Sequence, residues 1–124
     1  MSQYYEVDGE SVWNPGTLSS TIFLADVRFY EDLLGVPSGL GPMRNDECPV
    51  DPPVLGSFVD AVLEWWDRTG SLVIDLLAEG FIATLVTLAE KTGTEARWPE
   101  RCELFGRADR VRLLVTDLRG AMRA

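Results

Sequence analysis

The stretch VPSGLGPMRNDECPVDPP, residues 36–53, sets the strongest limit on how this 124-residue chain can fold. Pro37, Pro42, Pro49, Pro52 and Pro53, with Gly39 and Gly41, would break any helix running through it. Helix-like apolar periodicity stands on both sides, so the chain reads as helices joined by one long crossing. Irregular segments beyond about 12–15 residues are uncommon inside compact domains and are often functional or disordered. Val36, Leu40, Met43 and Val50 can tuck this one onto a core, and its prolines lower the entropy cost of a fixed path. The expectation is an ordered loop across the end of a bundle, displaying Arg44, Asn45, Asp46 and Glu47. The plainer alternative is a connector between helices that are not neighbours.

The segments around the loop supply the rest of the fold. Tyr4, Tyr5, Val7, Val12 and Trp13 favour strands about an Asp8-Gly9 turn, predicting a β-hairpin over 1–13. Residues 14–35 read as a helix with Asn14 or a nearby Thr or Ser as cap and Pro15 in the first turn. Its inward stripe is expected at Leu18, Ile22, Ala25, Phe29 and Leu33, with Gly35 as the left-handed stop. After the loop, Asp51 caps a helix over 51–69 whose apolar face is Leu55, Phe58, Val59, Val62, Leu63 and Trp66. A third helix, 71–92, carries Ile74, Leu77, Ala78, Phe81, Ile82, Leu85, Leu88 and Ala89 on one arc, and Asp75, Glu79 and Glu90 on another. Residues 94–106 carry no assignable pattern, although Arg97-Trp98 fits a short strand. Residues 107–123 read as a helix with Val111, Leu114, Val115, Leu118 and Met122 on one side. The sum is a mainly α single domain over 1–124: a small four-helix, bundle-like fold with an N-terminal β-hairpin and a long ordered Pro/Gly loop.

The chain has no histidine. That removes Ser-His-Asp and Cys-His pairs, His-based proton transfer and most zinc and iron sites. No Gly-x-x-x-x-Gly-Lys-Ser/Thr or Gly-x-Gly-x-x-Gly run exists for nucleotide phosphates. No catalytic residue, metal ligand set or cofactor is therefore assigned. Cys48 follows Asp46 and Glu47, whose negative charge disfavours a thiolate, so it reads as an inert thiol. Asp75 and Glu79 sit one turn apart on a very apolar helix. Facing a cavity they would be an acid/base pair, or part of a divalent-cation site; facing solvent they are the helix's wet side. Trp66 belongs to the core stripe. Trp65, at its edge, is either core rim or a contact aromatic.

Net charge is −9, unevenly spread. Residues 1–60 hold ten acids and two bases, 61–95 six acids and two bases, and 96–124 four acids and seven arginines. An acidic body is repelled by nucleic-acid backbones, so that partner is not expected. The arginine-rich tail is expected to pair with the acidic first sixty residues. The polar start MSQYYEVDGE lacks the pattern of a signal peptide. The apolar run Leu72–Ala89 is interrupted by Asp75, Glu79, Gly80, Thr84 and Thr87, which favours a buried helix over a membrane span. A cytoplasmic location, with Cys48 and Cys102 as thiols, is the expectation.

WNP at 13–15, GVPSGLGPM at 35–43, DEC at 46–48, and GF at 80–81 with the aliphatic helix it opens, are similar to a family of small bacterial proteins classed as a domain of unknown function. The resemblance covers residues 1 to about 98. It implies no activity, and it marks the loop as a characteristic part of the domain.

Two functional readings remain. The first is a non-enzymatic acidic protein that binds a basic protein partner through Arg44, Asn45, Asp46, Glu47, Asp51 and Trp65, in an immunity, antitoxin-like or accessory role. The second is a small-molecule binder or histidine-free enzyme with a pocket beneath the loop, lined by Trp13, Tyr30, Trp65 and Trp98 with Asp75 or Glu79 as polar group. A homodimer through Trp65 or the C-terminal helix is compatible with both.

Overall fold

The computed structural model describes residues 1–104 and 106–124. Its elements run β1 (Tyr4–Val7), β2 (Glu10–Trp13), α1 (Thr17–Leu34), β3 (Glu47–Pro49), α2 (Pro52–Thr69), α3 (Leu72–Lys91), α4 (Glu100–Leu104) and α5 (Arg107–Ala121). The fold is mainly α, as the periodicity predicts. The short helix α4 lies in the unassigned connector, Arg97-Trp98 is coil rather than strand, and Phe105 of that connector lies outside the described residues.

The hairpin forms about Asp8 and Gly9, both at positive φ (51° and 82°), as a type I′ turn requires. It is not alone. β3, inside the Pro/Gly loop, pairs parallel with β1, giving a sheet ordered β2-β1-β3. Tyr4 faces Glu47, Tyr5 faces Cys48 and Glu6 faces Pro49. The three strands set Tyr5, Trp13 and Cys48 into the core, where Tyr5 and Trp13 pack with ring centroids 4.8 Å apart. The Tyr5 hydroxyl lies 2.9 Å from the buried Ser20 hydroxyl of α1, so two polar groups satisfy one another inside the core. Burial pushes the phenol up to about 12.

Helix α2 buries Leu55, Phe58, Val59, Val62, Leu63 and Trp66, the face its spacing predicts. Asp51 caps it, accepting from the Val54 N–H at 3.4 Å, with Pro52 and Pro53 opening the first turn. Gly35 and Gly70 close α1 and α2 in the left-handed conformation. Helix α1 departs from expectation at both its start and its face. Gly16, not Asn14, stands at the cap position, and no side chain caps it. The Thr17 N–H instead donates to the Met1 carbonyl at 3.0 Å, so the start of the chain caps its own first helix. The buried face is Ser20, Phe23, Val27 and Tyr30. The predicted inward stripe lies outside: Leu18 is 73% exposed, Ile22 58%, Phe29 58% and Leu33 48%, and Ala25 is exposed too.

Helix α3 is the centre of the molecule, packing on α2 and α5. It buries Ala78, Phe81, Ile82, Leu85, Leu88 and Ala89 as predicted. Its first turns differ: Leu77 is exposed along with Leu72, Val73 and Leu76, on a side that no described element covers. By length and mean hydropathy (2.0) α3 is apolar enough to cross a bilayer, and half of that window is buried within the fold. Helix α5, which packs along α3, buries Ala108, Val111 and Val115, and Met122 is buried just past its end.

The loop is ordered, with Leu40 and Val50 buried and Val36 and Met43 packed on the core. Two side chains of α1 hold it. Arg28 donates to the carbonyls of Leu40 and Gly41, each at 3.1 Å, and pairs with Glu31 at 2.8 Å. Glu31 accepts the Ser38 N–H at 2.9 Å. Burial alone would raise the Glu31 carboxyl, but the bonds from Arg28 and Ser38 outweigh it and hold the group below its usual range. Its folded pKa is depressed, so its stabilisation is present above the unfolded value and lost as pH falls through the folded one. We expect Glu31→Gln to cost about 1–2 kcal/mol at pH 7. The gap should close as pH falls below about 4, which urea melts of both proteins across pH 3–7 would read.

Candidate functional site

The residues singled out on the loop have structural work of their own. Arg44 and Glu47 exchange backbone hydrogen bonds of 2.9 and 3.0 Å across Asn45 and Asp46, whose φ values are 53° and 60°. Asn and Asp tolerate the left-handed region, so this is a tight two-residue turn feeding β3. Asp46 is anchored further: its carbonyl accepts the Tyr4 N–H at 2.8 Å and its Oδ1 accepts from Gln3 Nε2 at 3.4 Å. All four turn side chains remain exposed, and Glu6, Arg44, Asn45 and Glu47 border a shallow hollow of about 370 Å³ at the sheet edge. Asp51 is the α2 cap. Trp65 is half-buried on the core rim, its ring 5.2 Å from that of Tyr30, and it lies away from the turn.

The loop does border a hollow of about 400 Å³, lined by Glu31, Gly39, Leu40, Pro49 and Val50 among others, but none of the aromatic or acidic residues expected beneath the loop lines it. Those expected residues are distributed over the molecule. Trp13 and Tyr30 join a continuous aromatic chain through Phe23 and Phe81, with centroids of 5.3 Å for Trp13–Phe23, 5.8 Å for Phe23–Phe81 and 4.7 Å for Phe81–Tyr30. Trp98 lies on the far side of α3, under the Arg112 guanidinium at 5.0 Å. Asp75 and Glu79 are neither an open acid/base pair nor a wet face. Arg107 meets Asp75 at 3.1 Å and Arg110 meets Glu79 at 2.6 Å. Those carboxylates are occupied, and among the described residues no group of three acidic or cysteine side chains converges to hold a cation.

The arginine pairing is also corrected. Arg107 binds Asp67 and Asp75, Arg110 binds Glu79, Arg112 binds Glu103 and Asp109, and Arg119 binds Glu90. Every partner lies on α2, α3, α4 or α5, and none in the first sixty residues. The reason is helix phase: α5 packs along α3, and the arc holding Asp75, Glu79 and Glu90 turns toward it. Among described residues 1–60 the single ion pair is Arg28–Glu31. Apart from Glu31, the acids of the sheet, the turn and α1 therefore make no ion pair among the described residues.

Both cysteines are free, buried and inert. Burial pushes the Cys48 thiol up to about 11, and its sulfur donates to the Gly41 carbonyl at 3.2 Å. Burial, with the neighbouring Asp67 carboxylate, pushes Cys102 up to about 12.

One feature escaped the sequence reading. A cleft of about 380 Å³ opens between α1 and α3, lined by Trp13, Ile22, Phe23, Asp26, Gly80 and Phe81 among others. Asp26, raised by burial, is its one carboxylate and has no ion pair among the described residues. Its signal in the sequence is the apolar stripe of α1, which borders the cleft through Ile22 instead of facing the core.

Taken together these features define a small helical domain with a three-stranded sheet closed by its own loop. The chain belongs to a family of unknown function, DUF6086, whose model matches residues 1–124. The family likeness thus includes the C-terminal helix and does not stop near residue 98. No curated protein and no solved structure matches the chain.

Proposed function

We propose that the protein is a non-enzymatic interaction protein that binds a basic protein partner through the acidic sheet-and-turn surface. The observation that carries this reading is the segregation of charge. The arginines of α5 are spent on acids of α2, α3, α4 and α5, while Glu6, Asp8, Glu10, Asp46 and Glu47 make no ion pair among the described residues and outnumber Arg44, the cation beside them. Their field favours encounter with a positively charged surface and makes the complex salt-sensitive. The rigid type I′ turn presents Asp46 and Glu47 in a fixed geometry, which lowers the ordering cost of binding. Two buried free thiols are in keeping with a reducing cytoplasm, and an immunity, antitoxin-like or accessory role suits a small acidic binder.

The test is a pull-down from the source cells with wild-type protein and with Asp46→Asn/Glu47→Gln, at 150 and 500 mM salt as about one and three times physiological strength. A basic protein retained by the wild type at the lower salt, and lost from the variant, is the expected result. A set of captured proteins identical for both baits would end this reading.

A further inference from the structure

We infer that the exposed apolar face of α1 and α3 is closed by a second copy of this chain, making a two-fold dimer. Leu18, Ile22, Phe29 and Leu33 on α1, and Leu72, Val73, Leu76 and Leu77 on α3, are each 48–79% exposed. Ile22 of this set lines the α1–α3 cleft, together with Phe23, Asp26, Gly80 and Phe81. At these exposures the eight side chains, seven aliphatic and one aromatic, leave several hundred Å² of apolar surface. The largest apolar patch on a typical monomer is about 300–600 Å², and a stable complex buries about 800 Å² per partner. The face supplies the apolar centre of one side of a stable dimer.

Its pattern points the same way. Leu18, Ile22, Ala25 and Phe29 follow one another at spacings of four, three and four residues, the seam that packs against another helix. A self-complementary surface needs apolar groups at its centre and charge at its rim. Asp32 flanks the α1 stripe, Asp26 lines the cleft beside it, and the exposed arc of α3 carries no charge between Leu72 and Leu77 except Asp75, which is turned away to Arg107. Two such faces opposed across a two-fold axis would stack two α1–α3 pairs into a four-helix layer. A bilayer is the poorer occupant: interfacial helices rim their apolar face with Lys and Arg, and here the α1 rim is Asp. The basic partner proposed above is also a poorer fit here, since its complementary charge lies on the sheet and turn. Dimerisation leaves that surface free and presents it twice.

Sedimentation equilibrium of the full chain across roughly 1–100 µM, the micromolar range that corresponds to about 8 kcal/mol of association, tests this. The expected species is a dimer of the 13.8 kDa chain. Ile22→Glu and Leu77→Glu, both at exposed positions, should keep the fold by circular dichroism and weaken the dimer at least about 100-fold, as burying an unpaired charge at an interface core requires. Leu113→Glu, exposed on α5 outside the face, should leave the dimer unchanged. A chain that stays monomeric at the top concentration would overturn the inference. So would a dimer indifferent to Ile22→Glu, or a monomer that floats with zwitterionic lipid vesicles through Leu77. None of these results bears on the pull-down with Asp46→Asn/Glu47→Gln, so the two readings fail separately.

Discussion

Arg107→Met is expected to destabilise the protein by about 3 kcal/mol, more than any other surface-charge substitution. Its guanidinium bridges Asp67 at 3.2 Å and Asp75 at 3.1 Å, and the three side chains are 13%, 14% and 15% exposed. It also donates to the carbonyls of Trp66 and Asp67 at 3.1 and 3.3 Å and lies 5.0 Å from the Trp66 ring centroid. Removing it strands two carboxylates and the Asp67 carbonyl where water reaches poorly, while the Trp66 carbonyl keeps the Thr69 hydroxyl at 3.0 Å. Residual exposure keeps the cost toward the lower end of the range for buried pairs. With a urea slope of about 1–3 kcal/mol per molar, the midpoint should fall by at least about 1 M. Arg107→Lys should recover less than half, because one ammonium cannot span both acids and both carbonyls. Arg107→Met/Asp75→Asn should be milder than the single change, since it removes one of the stranded charges. A single variant within about 0.5 kcal/mol of wild type would mean that solvent screens this node as it does an ordinary surface pair.

The second large effect is in the loop. Gly39 sits at φ 79°, and a Cβ there would stand 2.7 Å from the Asp51 carbonyl oxygen and 2.7 Å from the Leu55 nitrogen. Both are backbone atoms at the start of α2, so neither can swing aside. The Gly39 carbonyl also accepts the Asp51 N–H at 2.8 Å, which fixes the loop to the helix it precedes. Gly39→Ala should therefore cost about 3 kcal/mol or more, combining left-handed strain with a backbone clash. Gly35 has φ 67° and nothing within 4 Å of its would-be Cβ, so Gly35→Ala should cost only the conformational part, about 1 kcal/mol. The difference between the two, read from paired urea melts, isolates the contact. Equal losses would show that the loop yields and that the close approach has little energetic weight.

Much of this fold is legible in the residues, and the failures have physical causes. In α2 polar and apolar positions alternate sharply, one side packs on α3, and the predicted face is the buried one. In α1 the same logic selects the wrong face. Periodicity identifies an apolar stripe but says nothing of what covers it. The stripe that is buried includes Ser20 and Tyr30, a choice made workable by Ser20 meeting the Tyr5 hydroxyl, a contact invisible without the sheet. β3 could not be read because Glu47-Cys48-Pro49 has neither alternation nor strand propensity; it is a strand only because β1 offers it an edge. The arginine partners were misassigned because counting charge by segment ignores which arc of α3 turns toward α5. The loop's candidate residues were legible as exposed, but their identities answer first to turn geometry.

The sheet order also has a consequence in time. β1 precedes β2 and β3 in the chain yet ends up in the middle of its sheet, and the Asn14 N–H that follows the hairpin donates to the carbonyl of Arg123. On the ribosome β1 can pair with β2 at once, yet its other edge stays open until Glu47–Pro49 has emerged. Through that interval an apolar strand edge carrying Tyr5 is available to any other extended chain nearby. The tight turn at Asn45 and Asp46 and the clasp from Arg28 shorten the search that closes it. Slowing that search, by loosening the turn or the clasp, should show as aggregation during synthesis before it shows as instability of the finished protein.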